Sequence, residues 1–464
     1  MSATDVASAT RGRITRGDPA AAIARISIDS RALRPGDLFV AIKGDRFDGH
    51  DFVNDALRAG AIGAVVQHVP GGSNAATLRP PLLIEVEDTT RALQDLAREV
   101  RRRSGARVVA ITGSAGKTTT KEVCAELLSA HFTVFRNKGN LNNHIGLPLS
   151  LLELVSKPDI AVVELGMNHA GEIRTLVGIA EPEVRVWTNV GDAHLGFFES
   201  ADAIADAKAE ILENARLSDV LVANANDVRI MQRLRSFAGR TLTFGIDTDA
   251  DVSATSVKHR GLGGVDAQVT TPAGSVQVHT PLLGLGNLSN VLAAMAVGLY
   301  FRVPLQEMVE RTARLTPAHH RGELLRLPGG VTLIDDSYNS SPAALKRALE
   351  TVAMATGSAR KLAVLGEMLE LGDHALRLHQ ECGRAAAESG LDLLIAVGSD
   401  PAVALATEAV AAGMPERCVQ HVATKREVAD AALRQVRAGD LVLVKGSRGI
   451  GLDLVVERLR GEFA

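Results

Sequence analysis

The run Val108-Val109-Ala110-Ile111-Thr112, followed by Gly113-Ser114-Ala115-Gly116-Lys117-Thr118-Thr119, constrains this chain more than any other stretch. An apolar run ends in a glycine-rich turn, and a helical pattern follows from Thr119 to Leu128. A strand, a tight turn and a helix in that order aim backbone N–H groups and the positive end of the helix at one point, which suits an anion. Lys117 is placed to meet the β- and γ-phosphates of a nucleotide, and Thr118 to hold Mg2+. The loop departs from the general phosphate-loop form, because only two residues separate Gly113 from Gly116 where that form has four. An ordinary glycine turn before a helix has the same outline, so other residues must decide between the two.

The strand–helix alternation continues through Ile160 to Leu165 and Val184 to Asn189, as in a parallel sheet built from α/β units. Thr241 to Pro281, rich in Val, Thr and Gly, reads as added antiparallel strands, and Asn287 to Tyr300 and Leu305 to Leu315 read as helices. Upstream, Ile26 to Val86 mixes short apolar runs with Pro-Gly and Gly-rich turns, as a small α/β domain does. A helix from Thr89 to Arg103 follows, with Thr89 as its cap and Arg101-Arg102-Arg103 at the end where the macrodipole favours cations. Downstream, strands at Val331 to Ile334, Lys361 to Leu365, Leu393 to Val397 and Leu441 to Val444 alternate with Ala-rich helices in a second doubly wound pattern.

At roughly 150 residues per domain, 464 residues make about three domains. The predicted fold class is α/β in three parts. A small α/β N-terminal domain covers 1–104, a central P-loop-type domain with a mostly parallel sheet covers 105–317, and a C-terminal Rossmann-like, doubly wound domain covers 318–464.

Composition narrows the partners. Lys and Arg number 51 against 54 Asp and Glu, so no global basic field attracts nucleic acid or anionic lipid, and any anion must be gripped locally. An aromatic content of 3% leaves little for base-stacking platforms. The three cysteines, Cys124, Cys382 and Cys418, lack the short paired spacings of zinc or redox sites, which fits a reducing, cytoplasmic setting. Met1 to Arg16 has no apolar core of a signal peptide, and apolar stretches such as Val291 to Phe301 are too short to span a bilayer, so no membrane insertion is expected.

Further candidates flank the loop. Glu164 ends an apolar strand, where a carboxylate either ligates a hard cation or is merely solvated. The segment Thr188 to Leu195 follows the next strand and delivers His194, and Lys208 lies on an Ala-rich helical stretch from Asp202 to Leu212. Taken alone, Lys208 reads as a solvent-facing helix lysine and His194 as a loop histidine.

Together, Gly-Ser-x-Gly-Lys-Thr-Thr, the Glu164 strand end, the His194 loop and a lysine at the position of Lys208 resemble the central domain of the Mur ligases. The resemblance implies that the loop Gly113, Ser114, Ala115, Gly116, Lys117, Thr118 and Thr119 holds ATP. It implies that Lys208 is carbamylated by CO2, and that Thr118, Glu164, His194 and the Lys208 carbamate hold two Mg2+. Lys117, Lys208, His194 and Arg321 are then the catalytic set.

The resemblance covers nearly the whole chain and is strongest to the branch that adds D-alanyl-D-alanine to a UDP-N-acetylmuramoyl-tripeptide. Asp29 to Phe39, with Ser30 and Arg31, and Lys43 to His50, with Lys43, Phe47, Asp48 and His50, resemble that branch's UDP-sugar-binding segments, though both also read as polar turns. Gly139 to Pro148, with Asn142 and Asn143, and Met167 to Ile173, with Asn168 and His169, are similar to it too; dense side-chain amides suit a peptide, and the first asparagines equally suit a turn.

Asn287 and Asn290 resemble the pair that touches adenine, but Gly286 stands where many members have His, and Asn287 also reads as a helix cap. Asp335 to Pro342 resembles Asp-Asp-Ser-Tyr-Asn-Ala-Asn-Pro, with Ser340 and Ser341 in place of Ala and Asn. Asp336 then binds the ribose and Asn339 the substrate. Arg321 aligns with an interdomain arginine that reaches the γ-phosphate, although alone it reads as a surface arginine. The Asp-Asn-Pro-Arg segment of the diaminopimelate-adding branch does not occur.

The implied activity is ATP-dependent amide formation through an acyl phosphate by a cytoplasmic monomer in peptidoglycan synthesis, and hence in cell-wall biogenesis, cell shape and division. Sites spread over three domains imply closure on substrate, with hinges near 104 and 317. One rival is another amide ligase of the family, distinguished by which amine supports phosphate release; the other is a nucleotide-binding regulator or inactive scaffold that keeps the loop but not the chemistry, against which Lys117, Glu164, His194 and Lys208 together argue.

Overall fold

The computed structural model describes residues 1–44, 46–68, 81–192 and 195–463. They form two compact units. The first comprises Met1–Ala110, Phe132–Gly166 and Glu172–Glu183; the second comprises Ile111–His131, Met167–Gly171 and the chain from Val184 onward.

In the first unit five strands lie in the order Arg13–Arg16, Leu82–Glu85, Gly63–Val66, Asp37–Val40, Arg25–Ser27. All neighbours are parallel except Arg13–Arg16, which runs antiparallel to Leu82–Glu85. Side chains alternate across this sheet, as strand geometry requires. Leu38, Val40, Val65, Leu82 and Ile84 enter one core, while Phe39, Ala41, Ala64, Val66 and Leu83 enter the other.

Helix Ala3–Thr10 packs on the first core, closed by a reciprocal cap between Ser2 and Asp5. Helix Thr89–Ser104 is capped by Asp88, which accepts from the Arg91 amide, and not by Thr89 as expected. The Thr89 hydroxyl is buried and donates to the Ala41 carbonyl at 2.8 Å. Elsewhere in this unit Val134–Arg136 and Ile160–Glu164 pair in parallel.

In the second unit Val184–Trp187, Val220–Asn224, Arg240–Ile246 and Val252–His259 run parallel, and Val265–Thr271 and Gly274–Thr280 are then added antiparallel. Thr241 to Pro281 is therefore only partly antiparallel. Its strand composition is legible, but partner direction depends on how the chain returns, which composition does not encode. Helix Gly284–Tyr300 is buried along most of its length.

The C-terminal sheet has the order Glu323–Arg326, Thr332–Asp336, Leu441–Lys445, Lys361–Gly366, Leu393–Val397, Val419–Val422, parallel except for its first strand. Ala363, Leu365, Leu394 and Leu443 face one core, and Leu362, Val364, Ile395 and Val444 the other. Leu441–Lys445 is inserted between Thr332–Asp336 and Lys361–Gly366, so the strand order reverses there. A crevice for ligands opens at the carboxyl ends of such strands. Asp336, Lys445 and Gly366 occupy those ends.

Candidate active site

Strand Arg107–Thr112 leads into the glycine loop, and helix Lys117–Leu128 leaves it. Gly116 is the N-cap at φ +81°, a left-handed conformation, and no side chain caps the helix. The first turn of this helix thus faces the glycine loop with its positive end, the position at which a helix receives an anion. Gly113 and Gly116 are required for a second reason: a Cβ on the first would overlap the Thr188 hydroxyl, and on the second the Asn290 side-chain amide.

The loop is clamped by the segment after strand Val184–Trp187. The Asn189 side chain accepts from the Ala115 N–H at 2.9 Å and donates to the Ala115 carbonyl at 3.0 Å. The Thr188 hydroxyl donates to the same carbonyl at 2.8 Å. The Ser114 hydroxyl donates to the Gly191 carbonyl at 3.1 Å and accepts from the Gly191 N–H at 2.9 Å. On the helix side, Thr120 Oγ1 donates to Asn290 Oδ1 at 3.1 Å, and Asn290 Nδ2 donates to Asn287 Oδ1 at 3.2 Å. Asn287 is not the cap of its helix. Leu283 holds that position, and Asn287 Nδ2 donates to the Leu283 carbonyl at 2.9 Å. Thr188 and Asn189 lay in plain view in the segment that leads to His194, but clamping is a tertiary property and no local pattern announces it.

Lys117 Nζ donates to the Gly113 carbonyl at 2.7 Å. Lys208 sits in the last turn of helix Ala201–Ala209 and is 1% exposed, contrary to the solvent-facing reading of a lone helix lysine. Burial, and after it the charge of Lys117, push its pKa well below the ordinary lysine value. Such a shift favours loss of the proton, and a deprotonated amine is a nucleophile that can take up CO2. Two residues on, the buried Glu210 accepts the Gly171 N–H at 2.6 Å and so holds the end of the segment that carries Asn168 and His169, both exposed. His194 lies outside the described residues.

In the first unit, Glu164 is 4% exposed at the end of its strand. Its Oε1 accepts from Asn142 Nδ2 at 2.7 Å, and its own N–H donates to Asn137 Oδ1 at 3.1 Å. Asn143 turns its Oδ1 onto the Ile145 and Gly146 amides, which is the turn-forming role. A carboxylate is among the hard oxygen donors Mg2+ prefers.

Farther toward the N-terminus, Arg31 forms a two-pronged ion pair with Asp29 at 2.9 and 3.0 Å, and Ser30 beside it is half-buried. Lys43 is exposed and Phe47 is 72% exposed. Asp48 and His50 are braced internally. Asp48 Oδ1 accepts from the His50 amide and contacts its Nδ1 at 2.6 Å, which holds the Asp48 carboxyl below the usual carboxylate range, while His50 Nε2 accepts from the Gln67 amide at 2.9 Å.

At the C-terminal crevice Lys445 is buried, and its Nζ donates to Asp336 Oδ2 at 2.6 Å and to the Asn339 carbonyl at 3.0 Å. The Arg321 guanidinium lies 4.2 Å over the Tyr338 ring, and Arg448 donates to the Tyr338 hydroxyl at 3.1 Å. Asp335 contacts His320 Nδ1 at 2.6 Å and accepts from the Ser337 hydroxyl at 2.6 Å. The second unit thus gathers the glycine loop, Asn287, Asn290 and Lys208 into one cluster, and Arg321, Asp336 and Asn339 into another.

Comparison with known proteins places this architecture. The model of the Mur ligase family catalytic domain matches residues 22–101, that of the Mur ligase middle domain 111–298, and that of the Mur ligase glutamate ligase domain 320–448. A UDP-N-acetylmuramoyl-tripeptide–D-alanyl-D-alanine ligase from Synechocystis is 37% identical over 95% of this chain and 92% of its own. A crystal structure of MurF from Acinetobacter baumannii superimposes with a TM-score of 0.89 at 31% identity, covering 99% of this chain and 98% of that one. MurF ligase from Thermotoga maritima, solved with ADP, superimposes with a TM-score of 0.81 at 30% identity, covering 95% and 97%. Matched over nearly its full length, the chain belongs to the Mur ligase family, in the branch of UDP-N-acetylmuramoyl-tripeptide–D-alanyl-D-alanine ligases.

Proposed function

We propose that this chain joins D-alanyl-D-alanine to UDP-N-acetylmuramoyl-tripeptide at the expense of ATP, releasing ADP and phosphate, as a step of peptidoglycan precursor synthesis. The observation that carries the reading is the pairing of the clamped glycine loop with a buried Lys208, whose pKa burial and then the charge of Lys117 push down. A simple phosphate-binding turn needs no such amine.

A carboxylate is a poor electrophile at neutral pH. Transfer of the ATP γ-phosphoryl group to the tripeptide carboxylate gives an acyl phosphate, the amine of the dipeptide attacks its carbonyl carbon, and phosphate leaves. The protein supplies no covalent nucleophile, so its work is positioning and charge compensation. The N–H groups of Gly113 to Thr119 cradle the phosphates. Lys117 leaves its contact on the Gly113 carbonyl to meet them, and Arg321 swings from Tyr338 to the γ-phosphate. Asp336, held by Lys445, accepts from the ribose.

Asn287 and Asn290 stand on the adenine side. Since both amides are engaged within the chain, their first effect is to brace Gly116 and Thr120. Thr118, Glu164, His194 and a Lys208 carbamate would hold two Mg2+, which neutralise charge on the phosphoryl oxygens. That carbamate forms when the neutral Lys208 amine attacks CO2 and releases one proton. Ser30, Arg31, Lys43, Phe47, Asp48 and His50 form or shape the seat of the UDP-sugar, and Asn142, Asn143, Asn168, His169 and Asn339 that of the peptides. We place domain boundaries near 104 and 317 and take the enzyme to be a monomer. In support, Gly105, at φ +71°, ends helix Thr89–Ser104, and positions 104 and 317 both fall in gaps between the matched segments 22–101, 111–298 and 320–448.

The test is phosphate release from ATP with UDP-N-acetylmuramoyl-tripeptide and one of three amines: D-alanyl-D-alanine, diaminopimelate or glutamate. Release with the dipeptide alone is expected. Equal release with either amino acid, or none with the dipeptide, overturns the assignment.

A further inference from the structure

The short turn Leu195–Phe197 begins four positions beyond Gly191, the last residue of the segment Thr188 to Gly191 that clamps the glycine loop. Three contacts converge on it from different parts of the second unit. The Gly196 N–H donates to the Glu370 carbonyl at 2.9 Å, and Leu195 packs against the core of the C-terminal sheet. The Phe197 ring lies 5.2 Å from that of His169. The contact with Glu370 is close because both sides are glycine: a Cβ on Gly196 would stand 2.9 Å from the Gly372 nitrogen and 3.0 Å from the Glu370 oxygen, and a Cβ on Gly372 would stand 2.9 Å from Gly196 Cα.

The opposing loop is built to present that carbonyl. It leaves strand Lys361–Gly366, and Glu370 takes φ +65°, a conformation unusual for a residue with a side chain. It is pinned from behind at successive positions. The Glu367 carbonyl accepts from the Ser447 amide at 3.2 Å, the Met368 amide donates to His379 Nε2 at 2.9 Å, and the Leu369 amide donates to Ser447 Oγ at 2.9 Å. His379 is fully buried, and its Nδ1 meets the Ala375 carbonyl at 2.7 Å, which fixes the tautomer that leaves Nε2 as an acceptor.

We propose that the Gly196–Glu370–Gly372 contact is a latch through which the C-terminal lobe positions the Thr188–Gly191 segment, and with it the nucleotide loop, with Gly196 as its positioning residue. The proposal rests on the ligase reading above. It predicts that spoiling the latch lowers turnover without removing any group that touches a substrate.

Gly196→Ala tests it, since no left-handed conformation is recorded at Gly196 and the added methyl group meets only backbone. A misplacement of about 1 Å in a reacting constellation can cost on the order of 100-fold, so kcat for phosphate release should fall roughly 10- to 100-fold. The Gly196 amide, expected to exchange slowly with deuterium in the parent protein because it is bonded to the Glu370 carbonyl, should exchange at least about tenfold faster once its partner is displaced. Gly461→Ala, in a helix with open space around it, is the control and should match the parent in both measurements. If Gly196→Ala does not fold, Leu195→Ala, which trims the packing and leaves the backbone intact, should give the same fall in kcat with a smaller change in KM. Faster exchange at Gly196 with unchanged kcat overturns the latch. A parent protein that releases no phosphate with the dipeptide overturns the ligase reading, and the exchange data still report whether the contact exists.

Discussion

Gly116→Ala is the perturbation whose cost the structure defines most closely. Alanine at φ +81° meets the left-handed penalty of about 1–2 kcal/mol. Its Cβ also overlaps the Asn290 amide, so that side chain must rotate and release the Thr120 and Asn287 bonds, at about 0.5–1 kcal/mol for each buried bond lost. The observed loop is thereby disfavoured by about 2–4 kcal/mol. If nucleotide binds only that form, ADP affinity falls roughly 30- to 1000-fold at about 1.4 kcal/mol per decade. Titration calorimetry with ADP and Mg2+ reads the loss. Coupling gives an internal check: in the Gly116→Ala background Asn290→Ala should be neutral or favourable, because it removes the overlap, whereas in the parent it costs affinity. An ADP Kd within about threefold of the parent, with unchanged thermal stability, would refute the claim that the left-handed cap and the Asn290 brace shape the site.

Lys208→Ala should nearly abolish ligation, and added bicarbonate should not restore it; near-normal turnover refutes the carbamate, while a carbon-13 carbamate resonance in the parent supplied with labelled bicarbonate, absent from the variant, supports it. Lys208→Met in CO2-free buffer should raise thermal stability. The native pKa is depressed, so between that value and the unfolded lysine value near 10.5 the unfolded chain binds more protons, and the parent gains stability as pH rises. The advantage of methionine must therefore be largest at low pH and shrink toward the unfolded pKa, and melting curves showing a pH-independent difference would contradict a buried neutral amine. Asp219→Asn leaves the buried Arg185 guanidinium, now 2.7 Å from its carboxylate, without its counter-ion, and should cost about 3–5 kcal/mol in denaturant unfolding; a loss below about 1 kcal/mol would mean that Arg185 escapes to water.

The legible and the hidden parts of this molecule differ in the range of the physics behind them. The strand, glycine turn and helix around Gly113 to Thr119 could be read because hydrophobic period and glycine placement are local, and helix Lys117–Leu128 begins within two residues of the expected Thr119. Thr89 failed as a cap because Asp88, one residue earlier, is the better acceptor, which leaves the threonine hydroxyl for a buried carbonyl. The burial of Lys208 was hidden altogether. Its neighbours are the small, helix-forming residues of an ordinary surface helix, and a lysine there is solvent-facing unless something outside the segment encloses it. Enclosure costs free energy, since burial disfavours the charged amine. A chain under selection for stability alone would place methionine or leucine at that position, as buried charges are readily replaced by apolar side chains of similar size. A lysine at 1% exposure, beside a second lysine that further disfavours its charge, is therefore the point where local consistency yields to chemistry. Family resemblance singled out the residue; burial supplies the physical reason why its pKa is pushed down, toward the form of the amine that can react.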